Sequence, residues 1–138
     1  MTADRLPPNQ SLVAPGRWPL VGERSAGPGP EDWTVTVDGG VVRPRSFTLA
    51  ELAELPRTRI VIDVHCVTRW SRLDMPFAGV LLSAVLEACG GVAADMRSVR
   101  FVARSERSHD TSLPLDDALT LGGHGVLLAT EADEEPLS

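Results

Sequence analysis

The chain has 138 residues, of which 43% are hydrophobic and 23% charged, enough for one domain with a hydrophobic core and too few for two. No apolar run reaches the ~18 residues that span a bilayer, and the N-terminus has neither an apolar signal core nor a twin-arginine pair, so we expect a cytoplasmic protein. The formal net charge of −6 argues against a nucleic-acid partner, whose phosphates require a basic surface.

The charged residues are unevenly distributed along the chain. Residues 43–107 carry ten Arg and seven acidic residues, whereas residues 108–138 carry seven acidic residues and no Arg. The basic middle could attract a small anion near Arg69 or Arg72, because guanidinium groups match oxyanions. The simpler alternative is that these arginines are solvated surface charges.

Residues 1–32 are rich in proline and glycine. They contain six of the eleven prolines, with Gly-Pro-Gly-Pro at 27–30, a composition that forms neither a helix nor an inner strand. We therefore predict an extended arm over residues 1–32, attached to the rest of the protein through Trp18 and Leu20. The domain itself is predicted to span residues 33–138.

The first predicted elements of the domain are a hairpin, a helix and a strand. Apolar residues alternate with threonines over residues 33–37, as in a half-buried strand, and the turn at 38–40 should bring residues 41–42 back against it. Thr48 and Glu51 form a capping-box pattern, which predicts a short helix that runs to about Leu55.

Residues 59–66 then predict a strand, with Ile60, Ile62, Val64 and Cys66 on one face and His65 on the other.

The second half of the chain mixes short helices with strands. An apolar stripe from Leu81 to Cys89 predicts a helix that ends at Gly90-Gly91. Further strands are predicted at 99–103 and 125–130, with about one helical turn at 114–119. Strands and short helices without regular βαβ alternation indicate an α+β fold with a mixed sheet.

The segment His65-Cys66-Val67-Thr68-Arg69-Trp70-Ser71 carries the most specific chemistry. Cys66 is the last residue of the predicted strand, and a polar loop follows it. This position suits a functional site, because the strand provides a rigid scaffold. Arg69 could stabilise the thiolate of Cys66, the form that binds soft metals. From spacing alone, a buried cysteine at the end of a core strand is the simpler interpretation.

The other cysteine and the histidines favour structural or surface roles. Cys89 lies on the apolar stripe and is expected in the core, while His65 should bond to Asp63 or to backbone rather than share a metal. His109 and His124 lie in polar or glycine-rich segments and are expected to be exposed. The wide separation of the two Cys and three His is not that of a zinc site.

Residues 63–74 (DVHCVTRWSRLD), followed by Phe77-Ala78-Gly79-Val80, resemble the cysteine segment of the sulfite oxidase-type molybdopterin-binding oxidoreductases. The resemblance is strongest to the short bacterial members, a group similar to the catalytic subunit of the protein-methionine-sulfoxide reductase. Further segments match in order and spacing, among them Trp18-Pro19-Leu20-Val21, Thr111-Ser112-Leu113-Pro114-Leu115 and Glu135-Pro136-Leu137.

This resemblance implies a molybdopterin-binding domain in which the Cys66 thiolate is the protein ligand of molybdenum. It also implies contacts to the molybdenum–molybdopterin cofactor from Ser105 and from Trp18, Pro19 and Leu20. The implied activity is oxygen-atom transfer with two-electron oxidation or reduction. The implied partners are a small oxyanion or sulfoxide-type substrate and an unidentified electron-transfer partner.

Members of this family continue past the Glu-Pro-Leu motif with residues that grip the pterin and its phosphate, and the present sequence stops at Ser138. The resemblance therefore implies a domain without its C-terminal part. The alternative hypothesis is a truncated, non-catalytic homologue that binds no cofactor and acts as an interaction module or is non-functional. A sheet interrupted after residues 125–130 should leave an unpaired edge or an uncovered apolar patch, from which we expect a homo-oligomer or a poorly stable monomer.

Overall fold

The structure, a computed structural model, describes residues 5–13, 29, 31–105 and 107–137. In chain order the strands are β1 (Ser11–Leu12), β2 (Thr34–Val37), β3 (Arg45–Thr48), β4 (Thr58–His65), β5 (Trp70–Leu81), β6 (Ser98–Val102), β7 (Asp110–Pro114), β8 (Leu127–Ala132) and β9 (Glu135–Pro136). The helices are α1 (Leu49–Ala53), α2 (Leu82–Ala88), α3 (Leu115–Thr120) and a 3-10 helix at Leu121–Gly123. The predicted α+β class is confirmed.

Strand β5, 12 residues long, organises the main sheet. One edge of β5 pairs antiparallel with β4, and the other edge pairs with β1 at its beginning and with β8 at its end. Because β1 runs parallel to β5 while β4 and β8 run antiparallel, the sheet is mixed, and β9 extends it beyond β8.

The remaining strands form two smaller antiparallel hairpins, β2–β3 and β6–β7. The predicted return strand of the first hairpin was wrong: β2 pairs with Arg45–Thr48, not with residues 41–42. Residues 41–43 instead bond to the chain that leaves α2, where the Val42 amide donates to the Gly91 carbonyl and the Arg43 amide to the Cys89 carbonyl. A contact distant in sequence therefore replaces the local turn.

The strand predicted over residues 59–66 is observed one residue earlier, as β4. Its pairing with β5 shifts register between Ile62 and Val64, so the strict alternation of faces expected for the whole strand does not hold. The consequence for the site is that Cys66 lies beyond the strand, in the turn that leads to β5.

The core lies at the end of β5 that leads into α2. Phe47, Leu52, Val80, Val85 and Cys89 form one buried cluster, and the predicted apolar stripe of α2 supplies two of them. Thr48 caps α1 through the predicted capping box with Glu51. A second cluster joins α2 to α3 and the β6–β7 hairpin. No helix among the described residues is long and apolar enough to cross a bilayer.

The described amino-terminal segment, residues 5–13, lies along the β4–β5 hairpin. Arg5 pairs with the carboxylates of Asp63 and Asp74, one on each strand. The Asp74 amide and then Arg5 lower the pKa of Asp63, and Arg5 lowers the pKa of Asp74. Ser11 and Leu12 then add β1 to the sheet. The expected anchors Trp18 and Leu20 lie outside the described residues, and the boundary between arm and domain at residue 33 stays a prediction.

Candidate functional site at the Cys66 turn

A tight turn over residues 66–69 joins β4 to β5. The Arg69 amide donates to the Cys66 carbonyl at 3.0 Å, and the Cys66 amide donates to the Trp70 carbonyl at 2.9 Å. Arg69 adopts a left-handed conformation, with φ 72°, that is uncommon for a residue with a side chain. The turn therefore holds Cys66 at the tip of a long hairpin, away from the main core.

The thiol of Cys66 is partly exposed and accepts a hydrogen bond from the Thr68 hydroxyl at 3.1 Å. This bond and the backbone amides of Thr68 and Val67 lower the pKa of Cys66, against the opposing effect of partial burial. The neutral donors of the turn, rather than the expected guanidinium of Arg69, thus favour the thiolate. A supported, accessible thiolate is a good ligand for a soft metal.

Cys89 has the opposite environment. It is fully buried at the C-terminal end of α2, and burial raises the pKa of its thiol. The predicted role of Cys89 as a core residue is confirmed by this position. Of the two thiols, only Cys66 therefore combines exposure with stabilisation of its charged form.

A hydrogen-bonded chain of side chains lies behind the Cys66 turn. The Gln10 side chain donates to the Cys66 carbonyl at 3.0 Å, and its oxygen accepts from the buried Ser71 hydroxyl at 2.8 Å. His65 Nδ1 lies 2.7 Å from the same hydroxyl. The partner of His65 is thus Ser71, and the expected bond to Asp63 or to backbone was wrong.

The arginines near the turn differ in accessibility. Arg69 is exposed, whereas Arg72 is buried and pairs with Asp133 at 3.3 Å. The guanidinium of Arg72 is therefore already engaged by a carboxylate, which leaves Arg69 as the better candidate for an incoming anion.

Of the two remaining histidines, His109 is exposed, as expected, but His124 is partly buried and donates from Nδ1 to the Gly125 carbonyl.

Ser105 lies in the turn between β6 and β7, on a different sheet from the β4–β5 hairpin. Its hydroxyl oxygen is sealed from solvent and has no hydrogen-bond partner within the described part of the chain. A buried polar group without a partner costs free energy, which is a reason to look for a ligand at this position. No described hydrogen bond joins Ser105 to the Cys66 turn, and the other expected cofactor contacts, Trp18, Pro19 and Leu20, lie outside the described residues.

Gln10 and Thr68 are the two residues of this site that sequence reasoning missed as contributors. The Thr68 contact has a local signal, since a hydroxyl two residues after a cysteine lies within reach of its sulfur in a tight turn. Gln10 has no such signal, because it lies 56 residues before the turn it contacts.

Comparison with known proteins agrees with this architecture. Residues 23–138 match the family model described as the oxidoreductase molybdopterin binding domain. The "Uncharacterized oxidoreductase YuiH" of Bacillus subtilis strain 168 is 34% identical over 137 residues, which cover 97% of this chain and 65% of that protein. The chain therefore spans about two thirds of the length of this relative.

Among solved structures, the sulfane dehydrogenase SoxCD from Paracoccus pantotrophus superposes with a TM-score of 0.70 at 22% sequence identity. The match covers 82% of this chain and 32% of that one. At this identity the likeness establishes the fold, while the family model identifies the relationship by sequence. The chain belongs to the sulfite oxidase-type family of molybdopterin-binding oxidoreductase domains.

Proposed function

We propose that this chain acts in an oxidoreductase that works by oxygen-atom transfer, and that Cys66 is the protein ligand of its molybdenum. The observation that supports this most is the thiol itself: it is accessible, it lies in a rigid turn, and three neutral donors favour its thiolate. A cysteine that served only packing would be expected in an environment like that of Cys89.

The residues present fit a molybdenum–molybdopterin cofactor in two respects. Cys66 offers a single soft thiolate donor, which suits a metal whose other ligands a cofactor supplies. The orphaned hydroxyl of Ser105 is a suitable hydrogen-bonding group for such a cofactor. Contacts from Trp18, Pro19 and Leu20 remain predictions from the family resemblance.

The cofactor, when bound, supplies two-electron redox chemistry and the transfer of an oxygen atom. The chain's own part is to hold a thiolate in place. Thr68 donates to the sulfur, and the backbone amides of Val67 and Thr68 add further partial positive charge. The exposed guanidinium of Arg69 offers a donor fork to the proposed substrate, a small oxyanion or sulfoxide. An electron-transfer partner is required to complete a catalytic cycle.

The test is the metal and pterin content of protein expressed in a host that makes the cofactor. Wild-type protein should retain molybdenum and release a fluorescent oxidised pterin, and Cys66→Ser should lose both with little change in stability. Cys89→Ser is the matched control, because it also removes a thiol but disturbs the buried core. It should lower stability and keep the metal.

Retention of molybdenum by Cys66→Ser would contradict the ligand assignment. Wild-type protein free of both molybdenum and pterin would instead favour the alternative hypothesis, a non-catalytic homologue that acts as an interaction module.

A further inference from the structure

The side chain of Gln10 joins two separate parts of the site, the Cys66 turn and strand β5. Its amide nitrogen bonds to the Cys66 carbonyl, the same oxygen that accepts the Arg69 amide across the turn. Its amide oxygen bonds to Ser71, which is fully buried in the first part of β5. Directly after Gln10 the backbone also engages the hairpin, since the Ser11 amide donates to the Arg69 carbonyl and the Val13 amide to the Ser71 carbonyl.

The directions of these hydrogen bonds follow from which groups can donate. A carbonyl only accepts, so the nitrogen of the Gln10 amide must face Cys66 and its oxygen must face Ser71. An amide oxygen also only accepts, so the single proton of the Ser71 hydroxyl points at Gln10. The hydroxyl must then accept from His65, which places a proton on Nδ1 of the imidazole.

We propose that Gln10 is a positioning residue for Cys66: it fixes the carbonyl of the turn and sets the order of donors from His65 through Ser71 to the cysteine. The proposal rests on the proposed function of Cys66 as a metal ligand. Gln10 does not touch the sulfur, so it acts through the Cys66 backbone, which determines where the sulfur points. Removal of the amide would leave the turn closed by its two backbone bonds alone.

The test uses Gln10→Leu, which keeps much of the side-chain volume and removes both hydrogen bonds. Hydrogen exchange of the Cys66 and Arg69 amides in metal-free protein should accelerate about tenfold, the factor expected for loss of one net hydrogen bond. The Cys89 amide, bonded within α2, should keep its rate. Arg5→Ala is the matched control, because it loosens the same segment through ion pairs to Asp63 and Asp74 on the two strands rather than through a bond to the turn.

A second readout separates positioning from general stability. With Gln10 gone, the Ser71 hydroxyl is free to donate to His65, so at a pH where the ring is neutral the imidazole should shift toward the Nε2–H tautomer in nitrogen-15 spectra. Arg5→Ala should leave the tautomer unchanged. Gln10→Leu should also lower the molybdenum retained per chain.

The proposal is overturned if Gln10→Leu has the same exchange rates at the Cys66 and Arg69 amides, and the same His65 tautomer, as wild type. It is equally overturned if exchange rises uniformly across the chain, which indicates a global effect. These measurements need no cofactor, so they decide the role of Gln10 even if wild-type protein binds no molybdenum, an outcome that would count against the proposed function alone.

Discussion

Cys66 and Cys89 show how strongly the surroundings of a residue determine its chemistry. The same thiol has its pKa lowered in a turn that offers a hydroxyl and two amides, and raised in a core that offers apolar contacts. Neutral donors from Thr68 and Val67, rather than a nearby guanidinium, account for the lowered pKa of Cys66.

The substitution Thr68→Val should destabilise the thiolate form of Cys66 relative to the protonated thiol. The hydroxyl of Thr68 is the largest cause of the lowered pKa, so its loss should raise that pKa. Alkylation requires thiolate, and its rate at neutral pH should fall roughly threefold to tenfold, as expected for the loss of one typical net hydrogen bond at a solvent-accessible site. The pH at which the rate is half-maximal should move upward.

Thr68→Ser, which keeps the hydroxyl, is the control and should resemble wild type. Rates for the two cysteines are separated by mass spectrometry of peptides, and Cys89 should react more slowly than Cys66 throughout. An unchanged pH profile in Thr68→Val would show that the backbone amides alone support the sulfur.

Among the elements, β5 depends on a glycine where it meets β8. The pairing shifts register between Ala78 and Gly79, and a Cβ built on Gly79 would lie 2.0 Å from the Leu128 carbonyl oxygen. Since that neighbour is backbone, the two strands would have to separate to admit a side chain.

Gly79→Ala is therefore expected to lower the free energy of unfolding by ~1–3 kcal/mol, the usual cost of forced overpacking. Urea denaturation followed by circular dichroism measures this loss. Gly29→Ala is the control, because it adds the same methyl group at a position where no atom of the described residues, chain neighbours aside, lies within 4 Å. Equal midpoints for the two variants would mean that the β5–β8 pair adjusts freely.

Local signals in the sequence predicted the elements that local interactions determine. The capping box of Thr48 and Glu51 lies within one helical turn, and the stripe of α2 repeats at helical spacing, so both helices could be predicted from their own residues. The cysteine segment is likewise a contiguous motif, which is why the sequence alone points to Cys66.

Long-range pairing explains what the sequence did not reveal. Strand β5 contains Pro76 and Gly79 and has little alternation, so its 12-residue length depends on the strands that pair with it, β1, β4 and β8, rather than on its own pattern. The bonds of Val42 and Arg43 to the chain after α2, and the bond from Gln10 to Cys66, likewise join segments distant in sequence. Residue-level patterns carry little information about such pairs.

For the whole molecule, the outer edge of β4 is the feature most relevant to assembly. No described strand pairs with that edge, and Val61 and Ile62 on it are 49% and 41% exposed. Unpaired strand edges with apolar side chains favour edge-to-edge pairing between copies. We therefore expect the predicted homo-oligomer to form along the edge of β4, rather than along the opposite side of the sheet, where β8 already pairs with β9.

Ile62→Lys should weaken that association roughly tenfold, ~1.4 kcal/mol, because a charge on the edge must lose water when two strands pair. Sedimentation velocity over a range of concentrations measures the change. Val102→Lys is the matched control, since Val102 is 56% exposed but lies on β6, outside the main sheet. A wild-type protein that stays monomeric at high concentration would contradict the expectation.

The amino-terminal segment also has a consequence for the order of folding. Its bonds to the Cys66 turn join residues 56 to 61 positions apart, whereas the β4–β5 hairpin closes through a turn of four residues. Contacts of short sequence separation form early, because little chain entropy is lost in closing them. The hairpin is therefore expected to form first and the amino-terminal segment to dock afterward, so that the geometry around the cysteine is completed late in folding and is among the first features lost when the chain opens locally.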